Sequence, residues 1–131
     1  MRTGIFIHEI LAQIKSEKDL NKVLENYLLE GQITLEEKND ISTIISEILK
    51  QYSEYFTENQ EVINEKDIMI SENGITEMYR PDRIVSNGNG YIIIDFKTGE
   101  KQEKHLKQTE IYKSVLEKLG KKVIHTEIIY V

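Results

Sequence analysis

The hydrophobic period of this chain changes near residue 61, and that change restricts the fold to helices set beside a sheet. Upstream, Ile7, Ile10, Leu11 and Ile14 recur at helical spacing, with Thr3 or Gly4 available to start the helix. Leu20, Val23, Leu24, Tyr27 and Leu28 repeat the pattern after Asp19, an N-cap residue type, and Gly31 ends it. Thr34 followed by Glu37 has the form of a capping box and opens a third helix with Ile41, Ile44, Ile45, Ile48 and Leu49 on one face. Downstream the period shortens. Val62–Ile70, Ile75–Val85 and Tyr91–Phe96 read as strands separated by Ser71-Glu72-Asn73-Gly74 and Ser86-Asn87-Gly88-Asn89-Gly90. A fourth helix is predicted from about Glu103 to Leu119, stopping at Gly120, and Val123–Val131 is a last strand. The expectation is an α/β fold: a three-stranded meander, a crossover helix and a final strand making a mixed four-stranded sheet, preceded by helices.

At 131 residues the chain is expected to be a single domain over 1–131, helical over about 4–51, with its sheet and last helix over about 61–131. It has no cysteine, which removes disulfides, thiolate zinc sites, iron–sulfur clusters and a cysteine nucleophile, and suits a reducing compartment; the expected location is cytoplasmic. No apolar run reaches the roughly 18 residues of a membrane span, so no membrane association is expected. The G-x-x-x-x-G-K-[ST] phosphate loop is also missing, so any nucleotide-driven motor must lie elsewhere.

A net charge of −6 argues against nucleic-acid binding by bulk charge alone. The distribution is more informative. Residues 1–60 carry 6 basic and 11 acidic side chains, whereas 97–122 carry eight lysines against four glutamates. Such a basic stretch is compatible with phosphate contact, although most of its lysines also suit a solvated helix face. Asp95 and Lys97 close the most apolar strand and, being two apart, share a face opposite to Ile92, Ile94 and Phe96. A salt bridge at an exposed strand end is one reading of that pair. Turn geometry offers another. A turn centred on Gly88-Asn89 sets Asp82 directly opposite Asp95, with Cβ atoms roughly 4.5–5.5 Å apart. Two carboxylates at that distance repel unless one is protonated or a divalent cation lies between them. The same reasoning applied to Asn73-Gly74 sets Glu65 opposite Asp82. A loop one residue longer at Gly88-Asn89 would move Asp82 to the other face. Pro81 suggests a bulge or an edge beside this position.

Arg80-Pro81-Asp82, a twelve-residue gap and Asp95-Phe96-Lys97 resemble the signature of the PD-(D/E)XK nuclease superfamily. Ile94-Asp95-Phe96-Lys97-Thr98-Gly99 followed by Gln108-x-x-x-Tyr112 is similar to its RecB/AddA-type branch, the C-terminal nuclease domain of UvrD/Rep-type helicase–nucleases. Gly4-Ile5-Phe6-Ile7-His8 resembles the opening helix of that branch, and Asn64-Glu65 its first-strand acid. The branches that carry an iron–sulfur cluster are disfavoured by the lack of cysteine.

The resemblance implies a restriction-endonuclease-like core and a magnesium or manganese site made by His8, Asp82, Asp95 and the main-chain carbonyl of Phe96. It implies Glu65 in or behind that site, Lys97 as the lysine that orients the attacking water, and Gln108 with Tyr112 as the pair that positions the strand. Read on their own, His8 also suits the margin of an apolar helix face, and Tyr112 the core. His105, Gln108 and Tyr112 form a stripe that continues into Val115 and Leu119 and should face the sheet. Arg80, Arg83, Lys101, Lys104 and His105 are candidate DNA contacts. The implied activity is metal-dependent hydrolysis of DNA, as the exonuclease domain of a helicase–nuclease in recombination or repair. The implied partners are single-stranded DNA and a helicase motor in the same or another chain. The alternative is a non-catalytic module on the same fold that holds DNA ends or a helicase partner.

Overall fold

The computed structural model describes residues 2–64 and 67–131. Its contacts divide the chain into two compact units, 1–60 and 61–131, at the position where the sequence period changes. Each unit is described by itself.

The first unit holds α1 (Arg2–Leu11), α2 (Leu20–Leu29) and α3 (Leu35–Gln51), with short 3-10 turns at Glu17–Asp19 and Ser53–Tyr55. Both α1 and α2 pack on α3. Ile7, Ile10, Leu11, Ile14, Leu20, Leu24, Tyr27, Ile41, Ile45, Ile48 and Leu49 are buried; of the predicted set, Val23 and Leu28 are half-buried and Ile44 is more than a third exposed on the flank of α3. The capping box at Thr34 forms as expected: Thr34 Oγ1 accepts from the Glu37 N–H (3.1 Å) and the Glu37 carboxylate accepts from the Thr34 N–H (2.9 Å). Asp19 departs from its predicted role. It stands at the N-cap position of α2 but its carboxylate turns back to the N–H groups of Lys15 and Ser16 (2.9 and 3.3 Å). Those bonds fix the reversal after α1, so Ile14 is buried beyond the end of the helix.

The second unit contains a four-stranded sheet in the order β1 (Glu61–Asn64), β4 (Arg83–Ser86), β5 (Tyr91–Lys97) and β6 (Val123–Tyr130). β1, β4 and β5 are antiparallel neighbours, and β6 runs parallel to β5 after the crossover helix α4 (Glu103–Lys118). The mixed sheet and its crossover are those predicted. The two long strands of the meander are not continuous. Each is divided, and β2 (Ile68–Glu72) with β3 (Ile75–Tyr79) forms a separate two-stranded sheet. Pro81 lies at the break, with no N–H to give to a ladder, and the Arg80 Nε bond to Asp67 Oδ1 (2.8 Å) ties the two sides of the break together. The offset set at Asn73-Gly74, where both residues have positive φ, is the same in the β2–β3 and β1–β4 ladders. The expected pairing of Glu65 with Asp82 lies outside the described residues.

One face of the sheet is covered by α4. Ile84 and Ile93 pack against Tyr112 and Leu116, with Ile63, Tyr91 and Val123 around them. Leu116 takes the place predicted for Leu119, which is half-exposed where the helix gives way to Gly120. Gly90 is held by a close approach: a Cβ there would stand 2.8 Å from Ile124 Cγ2 and 2.9 Å from the Lys122 carbonyl oxygen. That contact seats the start of β5 against β6, where the register shifts by a bulge.

Candidate metal and phosphodiester site

The β4–β5 ladder pairs Arg83 with Ile94 and Ser86 with Tyr91, the register expected from a turn centred on Gly88-Asn89. Asp82, one residue before β4, therefore meets Asp95 on the face that α4 covers. The two residues interlock through the backbone. The Asp82 N–H donates to Asp95 Oδ1 (3.2 Å), and the Phe96 N–H donates to Asp82 Oδ2 (2.8 Å). Two like charges are thus held together by main-chain donors, which removes part of the repulsion but not all of it.

Asp95 is 1% exposed. Burial, reinforced by the charge of Asp82 and the hydrogen bond with it, pushes its carboxyl up to about 6, and Lys97 pulls the other way. Lys97 Nζ lies 3.2 Å from Asp95 Oδ2. The two meet as an ion pair, and Oδ2 has no hydrogen-bond partner among the described residues. A buried carboxylate oxygen met only by one partly exposed lysine still costs free energy, and a divalent cation beside it would offset more of that cost. Two carboxylates and a neighbouring main-chain carbonyl are hard oxygen donors, so the donor set fits magnesium or manganese. Among the described residues no three His, Asp or Glu side chains are gathered at metal-binding spacing. The second unit supplies two carboxylates; Glu65 lies outside the described residues. His8 lies in the last turn of α1, in the first unit, half-buried.

Tyr112 and Gln108 come from the middle of α4. Gln108 Nε2 donates to the Tyr112 hydroxyl (2.9 Å), which itself reaches the Arg80 carbonyl (3.5 Å). Burial, with the charges of Asp95 and Asp82, pushes Tyr112 up to about 12, so the phenol stays protonated. The Tyr79 ring meets Tyr112 edge-on, with centroids 6.4 Å apart. Tyr112 therefore belongs to the core and to the site at once: its ring packs on Ile84 and Ile93 while its hydroxyl steadies the backbone that leads into Asp82.

The predicted DNA contacts separate into groups. Arg83 is fully buried, its Nη1 3.4 Å from Asn64 Oδ1, and burial lowers its pKa to about 10. It cannot meet a phosphate in solvent, and the prediction is corrected: neighbouring side chains on one strand point to opposite faces, and Arg83 points away from Asp82. His105 is also buried, with Nδ1 2.9 Å from the Tyr130 hydroxyl, and burial with Lys97 and Lys104 nearby lowers its pKa. Arg80 is exposed in its pair with Asp67, and Lys101 and Lys104 are exposed. Sequence reasoning missed Tyr130, which lies beside Lys97 in the parallel ladder. The bulge between Tyr91 and Ile92 sets that register, and no turn residue signals it.

A mixed sheet whose central hairpin ends in two interlocked carboxylates, with a lysine two residues further on, is a restriction-endonuclease-like fold. The family model for the PD-(D/E)XK nuclease superfamily matches residues 1–130, and the chain belongs to that superfamily. Among curated proteins and among solved structures the comparisons found no match. Proteins of this superfamily are generally nucleases, hydrolases with DNA as the implied substrate, and they usually use divalent ions such as magnesium. Among the described residues no helix is long and apolar enough to cross a membrane.

Proposed function

We propose that this chain is a divalent-metal-dependent deoxyribonuclease that works in the cytoplasm as the exonuclease domain of a helicase–nuclease in DNA recombination or repair. The observation that carries the nuclease reading is the interlocked pair of carboxylates, the half-buried Asp82 and the buried Asp95, with Oδ2 of Asp95 lacking a hydrogen bond and Lys97 Nζ 3.2 Å away. The helicase context rests on the likeness of Gly4–His8, Ile94–Gly99 and Gln108-x-x-x-Tyr112 to the RecB/AddA-type branch.

Asp82, Asp95 and the Phe96 carbonyl are the residues of the second unit that would hold the cation, with His8 as the further ligand and Glu65 in or behind the set. A divalent ion there supplies a Lewis acid for the phosphodiester and lowers the pKa of a water. Asp95 keeps its negative charge at neutral pH despite its raised pKa, and the Phe96 N–H holds Asp82 in place. Lys97 puts a positive charge beside the pair, where charge develops on the phosphate oxygens as the water adds, and orients that water through its ammonium donors. Gln108 and Tyr112 fix the segment before Asp82 and help seat the strand. Little sequence preference is expected, since this reading names no side chain that meets a base edge.

The test is cleavage of labelled linear single- and double-stranded DNA by the whole chain with magnesium, manganese or EDTA, beside Asp95→Ala and Lys97→Ala. The reading predicts metal-dependent cleavage, faster on single strands, that both substitutions abolish. Tight DNA binding with no cleavage by the wild type at any metal concentration favours the non-catalytic module instead.

A further inference from the structure

A cavity of about 440 Å³ in the second unit is lined by Lys97, Lys104, His105, Lys107, Gln108 and Ile111. That volume falls within the roughly 300–1,000 Å³ of small-ligand clefts. Three of its side chains are ammonium groups and none is a carboxylate. A cavity of similar volume beside the start of α4 also has a lysine, Lys101, but sets Glu103 and Glu127 around it. Lys97 is shared with Asp95, but Lys104 and Lys107 meet no carboxylate in the first cavity, which is therefore more positive than the second, in a chain whose net charge is −6.

The placement follows from the helix. Lys104, Lys107, Gln108 and Ile111 are three, four and seven residues apart and so share one side of α4. His105 closes the floor, its ring held by the Tyr130 hydroxyl. Lys97 enters from β5 and joins the cavity to the carboxylate pair, its Nζ 3.2 Å from Asp95. Ile111 is 47% exposed, an apolar surface standing beside the lysines. Cationic donors at one end and an apolar surface one to two helical turns away match the two parts of a nucleotide, its phosphate and its deoxyribose with base.

We infer that this cavity is a subsite for the nucleotide next to the scissile phosphate of a single DNA strand, with Lys104 and Lys107 on its phosphate and Ile111 against its sugar and base. The inference rests on the nuclease reading of Asp95 and Lys97 and goes further, by fixing the path of the strand along the first two turns of α4. It adds Lys107 and Ile111 to the residues that meet DNA and leaves Lys101, beside its glutamates, outside the path.

The experiment measures binding of a fluorescent oligothymidylate to the whole chain in EDTA, by anisotropy, over a series of salt concentrations. Neutralising one single-strand phosphate contributes about 0.7 to the slope of log affinity against log salt. Lys104→Ala with Lys107→Ala is expected to lower that slope by about 0.7. Lys118→Ala with Lys122→Ala removes the same charge elsewhere and is expected to leave the slope as in the wild type. Ile111→Ala is expected to weaken binding several-fold at every salt concentration with the slope unchanged. The subsite is overturned if the Lys104/Lys107 variant keeps the wild-type slope, if both double variants lower it alike, or if the wild type does not bind. Because binding is read without metal, a wild type that fails to cleave DNA counts against the nuclease reading alone.

Discussion

The two units spend their buried positions differently. In the first, the buried residues are almost all isoleucine, leucine and aromatic side chains; the polar ones, Ser16 and Gln60, complete turns through local hydrogen bonds. In the second, a buried arginine, aspartate, histidine and threonine lie among the apolar residues. Apolar burial stabilises a fold without further conditions, whereas a buried charge is costly unless something compensates it. Asp95, whose Oδ2 has a lysine beside it but no hydrogen bond, is the clearest case. The contrast separates residues that hold the chain together from residues retained for chemistry, and His8 is the one proposed exception in the first unit.

The largest effect that sharpens this contrast is at the carboxylate. Asp95→Asn should cut DNA cleavage on the order of 10³-fold, while removing the buried charge raises the melting temperature in EDTA at neutral pH. A variant that loses both activity and stability would assign Asp95 a structural role. His8→Ala is expected to weaken manganese affinity about tenfold or more; unchanged affinity would return His8 to the helix packing. Ile45→Ala, in the core of the first unit, should cost about 2–5 kcal/mol by denaturant titration, with cleavage per folded molecule retained. Loss of cleavage at temperatures where that variant is folded would break the division between the units.

Smaller effects follow from titration and capping. The folded-state pKa of Asp95 is raised, so between about 4 and about 6 the folded chain binds more protons than the unfolded one. Stability in EDTA should therefore fall as pH rises through that window and level off above it. Metal affinity should rise over the same window, since the cation competes with the proton. Melting curves with and without manganese check both signs. Thr34→Ala removes one member of the capping box and should cost about 1 kcal/mol with no effect on DNA binding.

Much of this molecule is legible in its sequence because local rules fix it. The Thr34–Glu37 box, the apolar stripe of α3 and the Gly31 and Gly120 stops depend on residues within a few positions of one another, and the structure shows them as read apart from Ile44, which lies at the exposed flank of the stripe. The meeting of Asp82 with Asp95 is legible for the same reason, since a tight turn transmits its register down the hairpin. What escaped depends on distant contacts. Pro81 signals an irregularity, but its consequence, a ribbon split into two sheets, appears only once β4 has joined β1 and β5. The burial of Arg83 and the bond of His105 to Tyr130 need knowledge of what covers each face, and the parallel register needs the bulge at Ile124.

The most direct measurement is calorimetric titration of manganese into the whole chain and into an Asp82→Asn/Asp95→Asn variant, at neutral pH and near pH 4. The account predicts saturable binding by the wild type at neutral pH that is lost in the variant and lost on acidification. Equal binding by wild type and variant would contradict it, because the cation would then be held somewhere other than between those two carboxylates.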